Sequence, residues 1–194
     1  EGIAKFFEGI DGLVIPDSYG QRGFLGMLAG IRYAREHKLP FLGINLGMQL
    51  MAIEAARSIL GWQDADSTEF VQSTNHPVIS LPEEQSGLSA AGVMRLGAAT
   101  IALLPNSRLA TVYGGVTQIS ERHRSKYAFD PRYTQDMAQC GLEVSAKAQD
   151  GLVEAFEWKE HPWGVGVQFH PEFASRPTKP HPLFSSFVAA ALNK

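Results

Sequence analysis

The stretch from Leu39 to Gln49 constrains the fold more than any other part of the sequence. Its apolar run ends in Gly-Ile-Asn-Leu-Gly, with Asn45 at the centre. The run predicts a buried strand and the following residues predict a helix, so Asn45 lies at the turn between them. A glycine-flanked turn of this kind presents its central side chain at a catalytic site, beside helix N–H groups that can hold an oxyanion. Asn45 carries an amide, which is not a nucleophile in acyl transfer, so the scaffold lacks its reactive atom.

Strands and helices alternate along the first part of the chain. Short apolar strands are predicted at 13–15 and 41–44, and helices with one apolar face at 24–38 and 46–60. Strands that are short and continuously apolar are typical of parallel sheets covered by helices on both faces. We therefore expect an α/β fold with a mostly parallel sheet and flanking helices.

The remaining elements have a less regular spacing. Segments 152–157 and 164–169 have strand character and predict a hairpin around His161-Pro162-Trp163. Further strands are predicted at 77–81, 93–96, 101–104, 116–120 and 142–144, and further helices at 108–113, 131–139 and 182–192. No internal repeat or low-complexity tract interrupts this order.

A histidine and a glutamate follow the last predicted strand. His170 and Glu172 are separated by Pro171, just beyond the end of that strand. Such a pair can act as a base and its orienting carboxylate beside a nucleophile. Ligands of open α/β sheets bind beyond the carboxyl ends of the strands, where Asn45 is also expected. Alone, the pair is more typical of a surface histidine near a carboxylate, but together with the glycine-flanked turn it favours a catalytic site.

Charge and cysteine content limit the partners and the compartment. The formal net charge of −3 gives no basic surface for nucleic acid or an anionic membrane. No apolar run approaches a membrane-spanning helix, and no signal-peptide pattern is present. Cys140 is the only cysteine and cannot form an internal disulfide, so we expect a cytoplasmic protein. We interpret Cys140 as a helix-end or packing residue, because no histidine or glycine-flanked turn lies beside it in sequence.

Several motifs together carry a family resemblance. Ser-Thr-Glu-Phe occurs at 67–70, Met-Arg-Leu-Gly at 94–97, Glu-Arg-His-Arg at 121–124 and Gln-Phe-His-Pro-Glu-Phe at 168–173, and the stretch 41–49 and segments 161–163 and 175–184 add to them. The chain resembles the class I (triad) glutamine amidotransferase domain, and specifically that of the CTP synthases. The His-Pro-Glu end is common to many triad amidotransferases, whereas the Ser-Thr-Glu-Phe and Met-Arg-Leu-Gly motifs are typical of CTP synthases. The likeness covers nearly the whole chain.

This resemblance implies a flavodoxin-like amidotransferase fold and a known reaction. Such a domain hydrolyses glutamine through a cysteine thioester and passes ammonia to a synthetase domain, where UTP activated by ATP becomes CTP. It implies no cofactor in this domain, with ATP and Mg in the synthetase domain. The implied ligand is glutamine or a related small molecule. The implied partner is a synthetase domain or a second copy of the chain, with no nucleic acid and no membrane.

The site residues that the resemblance implies are carried over by position. Asn45 occupies the position of the nucleophilic cysteine, His170 is the base, and Glu172 orients it. Gln49 and Glu69 hold the polar end of glutamine, and backbone N–H groups near Leu46 line the oxyanion hole. The full set of implied substrate-binding residues is Ser18, Leu46, Gly47, Met48, Gln49, Glu69 and Lys126. No metal ligand is implied.

Four departures from the family pattern fall in this site. Asn45 replaces the cysteine, and Asp17 and Ser18 replace two glycines of a Pro-Gly-Gly-Phe-Gly loop whose backbone approaches the substrate. Lys126 replaces an arginine, and lysine offers a point charge where arginine grips a carboxylate with two hydrogen bonds. Asp17 also repels the carboxylate of the substrate. We expect glutaminase activity to be lost, since removal of a triad nucleophile costs about 10⁶-fold in rate.

The origin and use of the altered site stay open. An asparagine introduced to trap substrate would leave the glycine loop unchanged, so four departures favour a naturally degenerate site. The domain is then a structural or regulatory part of a CTP synthase homologue. Alternatively, it is a binding module in which a polar cleft holds a small amino-bearing or sugar-like ligand through Asp17, Ser18, Asn45, Gln49 and Glu69. A hydrolase in which His170 activates water is a third interpretation, although no complete metal site supports it.

We expect residues 1–194 to be an N-terminally incomplete amidotransferase-like domain. The sequence opens at what resembles the helix before the glycine-loop strand, so the family's first β-α-β portion and its synthetase domain are absent from this chain. A sheet without its first strands exposes an edge and apolar surface. The chain is then a piece of a longer protein, or a partner covers that surface.

Overall fold

Two parallel strands, each followed by a helix, form the part of the fold that carries the candidate site. The computed structural model describes residues 2–82 and 94–193 of the chain. Strand β1 is Leu13–Ile15, helix α1 is Phe24–Glu36, strand β2 is Phe41–Ile44 and helix α2 is Leu46–Ser58. Both strands have the predicted bounds, and both helices end slightly before the predicted limit.

The other elements are mainly strands, with shorter helices between them. The strands are β3 Asp66–Ser67, β4 Pro77–Ser80, β5 Arg95–Leu103, β6 Gln118–Ser125, β7 Ala128–Phe129, β8 Leu142–Ala148, β9 Val153–Trp158 and β10 Gly164–Val167. The helices are α3 Arg108–Val112, α4 Thr134–Gln139 and α5 Pro182–Leu192. Short 3₁₀ turns lie at Ala4–Phe7, Pro131–Tyr133 and Pro171–Phe173.

A seven-stranded sheet in the order β1-β2-β10-β9-β8-β5-β6 forms the centre of the described part of the chain. Strands β1 and β10 pair with β2 in parallel, whereas the other four pairings are antiparallel. The parallel strands end at one edge, so the residues after Ile15, Ile44 and Val167 lie near one another. A smaller sheet has the order β3-β4-β7. The α/β architecture with flanking helices is confirmed, and its parallel pairings are concentrated at the candidate site.

The hairpin predicted around residues 161–163 is confirmed, because β9 and β10 pair antiparallel with Gly166 opposite Phe156. The strands predicted at 93–96 and 101–104 belong to one strand, β5, while Val93 lies outside the described residues. Small residues at 97–100 interrupt the apolar pattern, but pairing with β6 extends the strand through them. The helix predicted at 131–139 begins as a 3₁₀ turn, and only Thr134–Gln139 is α-helical.

Two apolar clusters join the helices to the large sheet. One contains residues of α1, α2 and α4, and it buries α2 continuously from Leu46 to Ala56. The other contains residues of α3 and α5, with Leu183 fully buried. In residues 2–82 and 94–193, no helix has the length and apolar character needed to cross a membrane.

Glycines let α2 pack directly against the backbones of β1 and β2. A Cβ atom added at Gly47 would lie 2.2 Å from the carbonyl oxygen of Ile15, and one added at Gly43 would lie 2.6 Å from the carbonyl carbon of Gly47. Both distances are far below van der Waals contact, so a side chain fits only if backbone moves. The start of α2 is therefore held against the end of β1.

We expect Gly47→Ala to lower the free energy of unfolding by about 3 kcal/mol, because its methyl group would overlap the backbone of Ile15. Gly26→Ala in α1 is the matched control, since a Cβ atom there would meet no atom within 4 Å. This control should stabilise the protein by up to about 1 kcal/mol through helix propensity. Urea unfolding measures both changes. An unchanged midpoint for Gly47→Ala would contradict the close approach of α2 to β1.

Candidate functional site

Asn45 lies at the turn between β2 and α2, as the sequence predicts. Its backbone has φ 49° and ψ −101°, a region that non-glycine residues rarely adopt. The turn is held by hydrogen bonds from the Asn45 N–H to the Val167 carbonyl (2.8 Å) and from the Gln49 N–H to the Asn45 carbonyl (3.1 Å). Such strain costs of order 1–3 kcal/mol and persists where the surroundings impose it, often at functional sites. The predicted strained turn is confirmed.

The side-chain amide of Asn45 is held by groups from three segments. Its Nδ2 lies 3.3 Å from the Gln168 carbonyl, 3.4 Å from the Arg124 carbonyl and 3.0 Å from His170 Nε2. Nε2 of His170 also lies 3.3 Å from the Arg124 carbonyl oxygen, which only accepts. A neutral ring with its proton on Nδ1 accepts from the Asn45 amide, whereas a ring with a proton on Nε2 donates to Arg124. In the form with its proton on Nδ1, the lone pair that would serve a base points at residue 45.

The His170 ring is oriented by Glu172. His170 Nδ1 lies 2.6 Å from Glu172 Oε1, because the 3₁₀ turn at Pro171–Phe173 brings the carboxylate back to the ring. The Phe173 ring stacks on the imidazole with centroids 4.5 Å apart. Burial lowers the pKa of His170, but the hydrogen bond and charge of Glu172 outweigh it, so the pKa is raised above its ordinary value. The predicted proximity of His170, Glu172 and Asn45 is confirmed.

A cavity of about 290 Å³ opens beside Asn45. Five of the implied substrate-binding residues line it: Ser18, Leu46, Gln49, Glu69 and Lys126. Gly47 and Met48 do not, because Gly47 packs on Ile15 and Met48 is fully buried against Gly166. His170 does not line the cavity, but it contacts two residues that do, Asn45 and Arg124.

Some lining residues were not expected from the sequence, namely Tyr19, Met94, Arg124, Ser125 and Tyr127. Arg124 donates a hydrogen bond to the Tyr19 hydroxyl and places its guanidinium carbon 5.2 Å from the centroid of the Tyr19 ring. This contact ties the loop after β1 to the end of β6. The alternation of exposed and buried residues along β6 places Arg124 on the exposed face and is the only sequence signal for it.

Gln49 is fixed at the base of the cavity. Its Nε2 donates to the Tyr127 carbonyl at 3.1 Å and to Gln168 Oε1 at 3.3 Å. The residue is buried, so both donors of its amide are directed at protein acceptors. Its Oε1 is the group that remains for a ligand.

Two carboxylates face the same cavity. Burial raises the pKa of Asp17, although the charge of His170 and the backbone N–H groups of Ser18 and Leu46 act in the opposite direction. The pKa of Glu69 is raised by burial and by the charge of Asp17, while Lys126 lowers it. The Leu46 N–H is the donor implied for the oxyanion hole, and it is one of the backbone groups that lower the pKa of Asp17. The cavity thus contains a negative group where the family pattern has glycine.

Neither a metal cluster nor the single cysteine contributes to this site. Within residues 2–82 and 94–193, no group of three or more His, Cys, Asp or Glu side chains is arranged to hold a metal ion. Cys140 caps the C-terminal end of α4 and packs partly buried against the apolar cluster, as predicted. Burial raises the pKa of its thiol, which lowers its reactivity.

Comparison with known proteins identifies the family. The family description "Glutamine amidotransferase class-I" matches residues 2–190. The CTP synthase of Syntrophus aciditrophicus is 47% identical over 194 residues, which cover 99% of this chain and 36% of that protein. The CTP synthase of Fibrobacter succinogenes is 48% identical over 194 residues, covering 98% of this chain and 34% of that protein. The chain therefore spans about a third of the length of these relatives.

One solved structure shows the same family, and another shows the same fold. The Trypanosoma brucei CTPS glutaminase domain with bound acivicin superposes with a TM-score of 0.93 and 34% identity, covering 99% of this chain and 75% of that chain. A glutamine amidotransferase from Thermotoga maritima has a TM-score of 0.53 and 14% identity, and it covers 82% of this chain and 56% of that chain. The second likeness shows only a shared fold.

Proposed function

The chain belongs to the class I glutamine amidotransferase family, within the amidotransferase domains of CTP synthases, and on this premise we propose that it is such a domain without glutaminase activity. The parent protein would then make CTP from UTP and ATP using free ammonia. Its ATP and Mg would bind the synthetase domain and not this one. The expected partner of this chain is that synthetase domain or a second copy.

One contact carries this proposal. The amide of Asn45 lies 3.0 Å from His170 Nε2, at the position where the family's thiol would give up its proton. An amide nitrogen has no available lone pair, so His170 has nothing to activate. His170 and Glu172 keep the contact between a base and its orienting carboxylate. The differences from the family pattern lie at the position of the nucleophile and in the residues around it.

The loop after β1 supports the same conclusion independently. Asp17 lines the same cavity as Leu46, whose N–H is the donor that an oxyanion would use. A developing oxyanion would there meet a negative charge, and loss of one oxyanion donor alone costs about 10²–10³-fold in rate. The site therefore lacks the nucleophile and also has a negative charge near the donor that would stabilise the oxyanion.

We expect CTP formation by the complete protein, expressed from its whole reading frame, to depend on ammonia and not on glutamine. The measurement follows CTP formed from UTP and ATP with ammonium chloride or with glutamine as nitrogen donor. A CTP synthase with an intact glutaminase site is the control and should use both donors. Glutamine-dependent CTP formation by the wild-type protein would refute the loss of glutaminase activity. Absence of CTP formation with either donor would refute the CTP synthase assignment.

A second function is supported by the cavity itself. Asp17, Glu69 and Lys126 place ionisable groups around a space large enough for a small molecule. A non-catalytic domain with such a cavity can bind a metabolite and act as a regulatory module. This function is compatible with the first, because both leave glutamine unhydrolysed.

A further inference from the structure

The charged groups around the cavity differ from those that a glutamine site requires. Glutamine carries an ammonium group and a carboxylate, so its site needs one acidic and one basic group. In this chain two acidic groups, Asp17 and Glu69, line the cavity and repel each other. Two like charges in one partly buried space are stabilised by a bound cation.

The basic groups of the cavity already have partners. Arg124 donates to the Tyr19 hydroxyl and stacks over the Tyr19 ring. Lys126 acts electrostatically on Glu69, and its Nζ lies 6.0 Å from the centroid of the Tyr127 ring. A ligand carboxylate would have to compete with these partners. It would also approach Asp17, which the family pattern lacks.

Asp17 follows the point where α2 packs on β1. Because Gly47 has no side chain, the start of α2 lies against the Ile15 carbonyl, and the residues after β1 lie near the first turn of α2. The side chain of Asn45 does not cap this turn. Asp17 and Leu46 both line the cavity, and a negative group is favoured near a helix N-terminus. The carboxylate of Asp17 therefore contributes its charge to the cavity.

We propose that Asp17 is a specificity-determining residue, which makes the cavity select small primary amines that carry an uncharged amide or similar polar tail and no carboxylate. The ammonium group would lie between Asp17 and Glu69. The polar tail would reach Gln49, whose Oε1 is left for a ligand by the contacts of its amide nitrogen. This inference rests on the proposed function, since it treats the amidotransferase cavity as a binding site without hydrolysis.

Three probes with the same amide tail, which differ in the charged groups they carry, test this selectivity. Glutamine has both charges, γ-aminobutyramide is glutamine without its carboxylate, and glutaramate is glutamine without its ammonium group. Isothermal titration calorimetry with wild-type protein should show γ-aminobutyramide binding at least about tenfold more tightly than glutamine. Glutaramate should bind most weakly. A tenfold ratio corresponds to about 1.4 kcal/mol, the size of one screened charge interaction at a partly buried site.

Two charge-removing variants distinguish the effect of Asp17 in the cavity from the effect of lowering the negative charge of the whole protein. Asp17→Asn keeps the shape of the side chain and should remove most of the preference for γ-aminobutyramide over glutamine. Asp11→Asn is the matched control, because Asp11 is exposed, lies outside the cavity wall and loses the same charge. Glu69→Gln should weaken γ-aminobutyramide binding as well, whereas the control should leave all three affinities unchanged.

Three results would overturn the proposal. They are glutamine binding as tightly as γ-aminobutyramide, equal selectivity in Asp17→Asn and Asp11→Asn, and no binding of γ-aminobutyramide at concentrations up to about 10 mM, beyond the usual metabolite range. Glutamate release, assayed in the same samples, reports on the proposed function separately. Hydrolysis with amine selectivity would refute only the loss of activity, and absence of hydrolysis without amine selectivity would refute only the role of Asp17.

Discussion

Asn45→Cys alone should restore little glutamate release from glutamine, whereas Asn45→Cys combined with Asp17→Gly, Ser18→Gly and Lys126→Arg should restore far more than the single changes summed. The thiol regains His170 Nε2 as its base, because the present amide already lies 3.0 Å from that atom. In the single variant, however, the carboxylate of Asp17 still lines the cavity beside Leu46. Residues that act as one unit are not additive in their effects on rate.

The expected gain of the quadruple variant over Asn45→Cys is about 10²–10³-fold, the usual contribution of an oxyanion donor. Lys126→Arg supplies a bidentate hydrogen-bond donor for the glutamine carboxylate and should act mainly on KM. The quadruple variant with His170→Ala is the control and should lose the gain. A turnover near 1 per second for Asn45→Cys alone, which lies within the ordinary enzyme range, would show that the cavity never lost its substrate.

Local sequence patterns were sufficient to predict the catalytic scaffold. The glycine-flanked turn at Asn45 and the His-Pro-Glu segment each combine a strand end with a turn, so short-range residue order determines their conformation. Because the strands before them are parallel neighbours, the two turns meet at one edge of the sheet. The strained backbone of Asn45 and the contact between His170 and Glu172 follow from this arrangement.

Contacts between distant segments could not be predicted in the same way. The contact of Arg124 with Tyr19 joins β6 to the loop after β1, and no periodic pattern links those segments. Asp17 and Glu69 line one cavity although they are far apart in the sequence. Met48 was assigned to the substrate site by position, but the tight packing of α2 on β10 at Gly166 buries its side chain.

Glutamate release by the unmodified chain, with glutamine at saturating concentration, tests the loss of glutaminase activity most directly. We expect a rate about 10⁶-fold below that of an intact triad enzyme, because an amide lies beside His170 Nε2 where the nucleophile would be. The quadruple variant, prepared and assayed in parallel, shows that the assay detects activity in this scaffold. Release at a rate on the order of 1 per second by the unmodified chain would contradict the loss of activity.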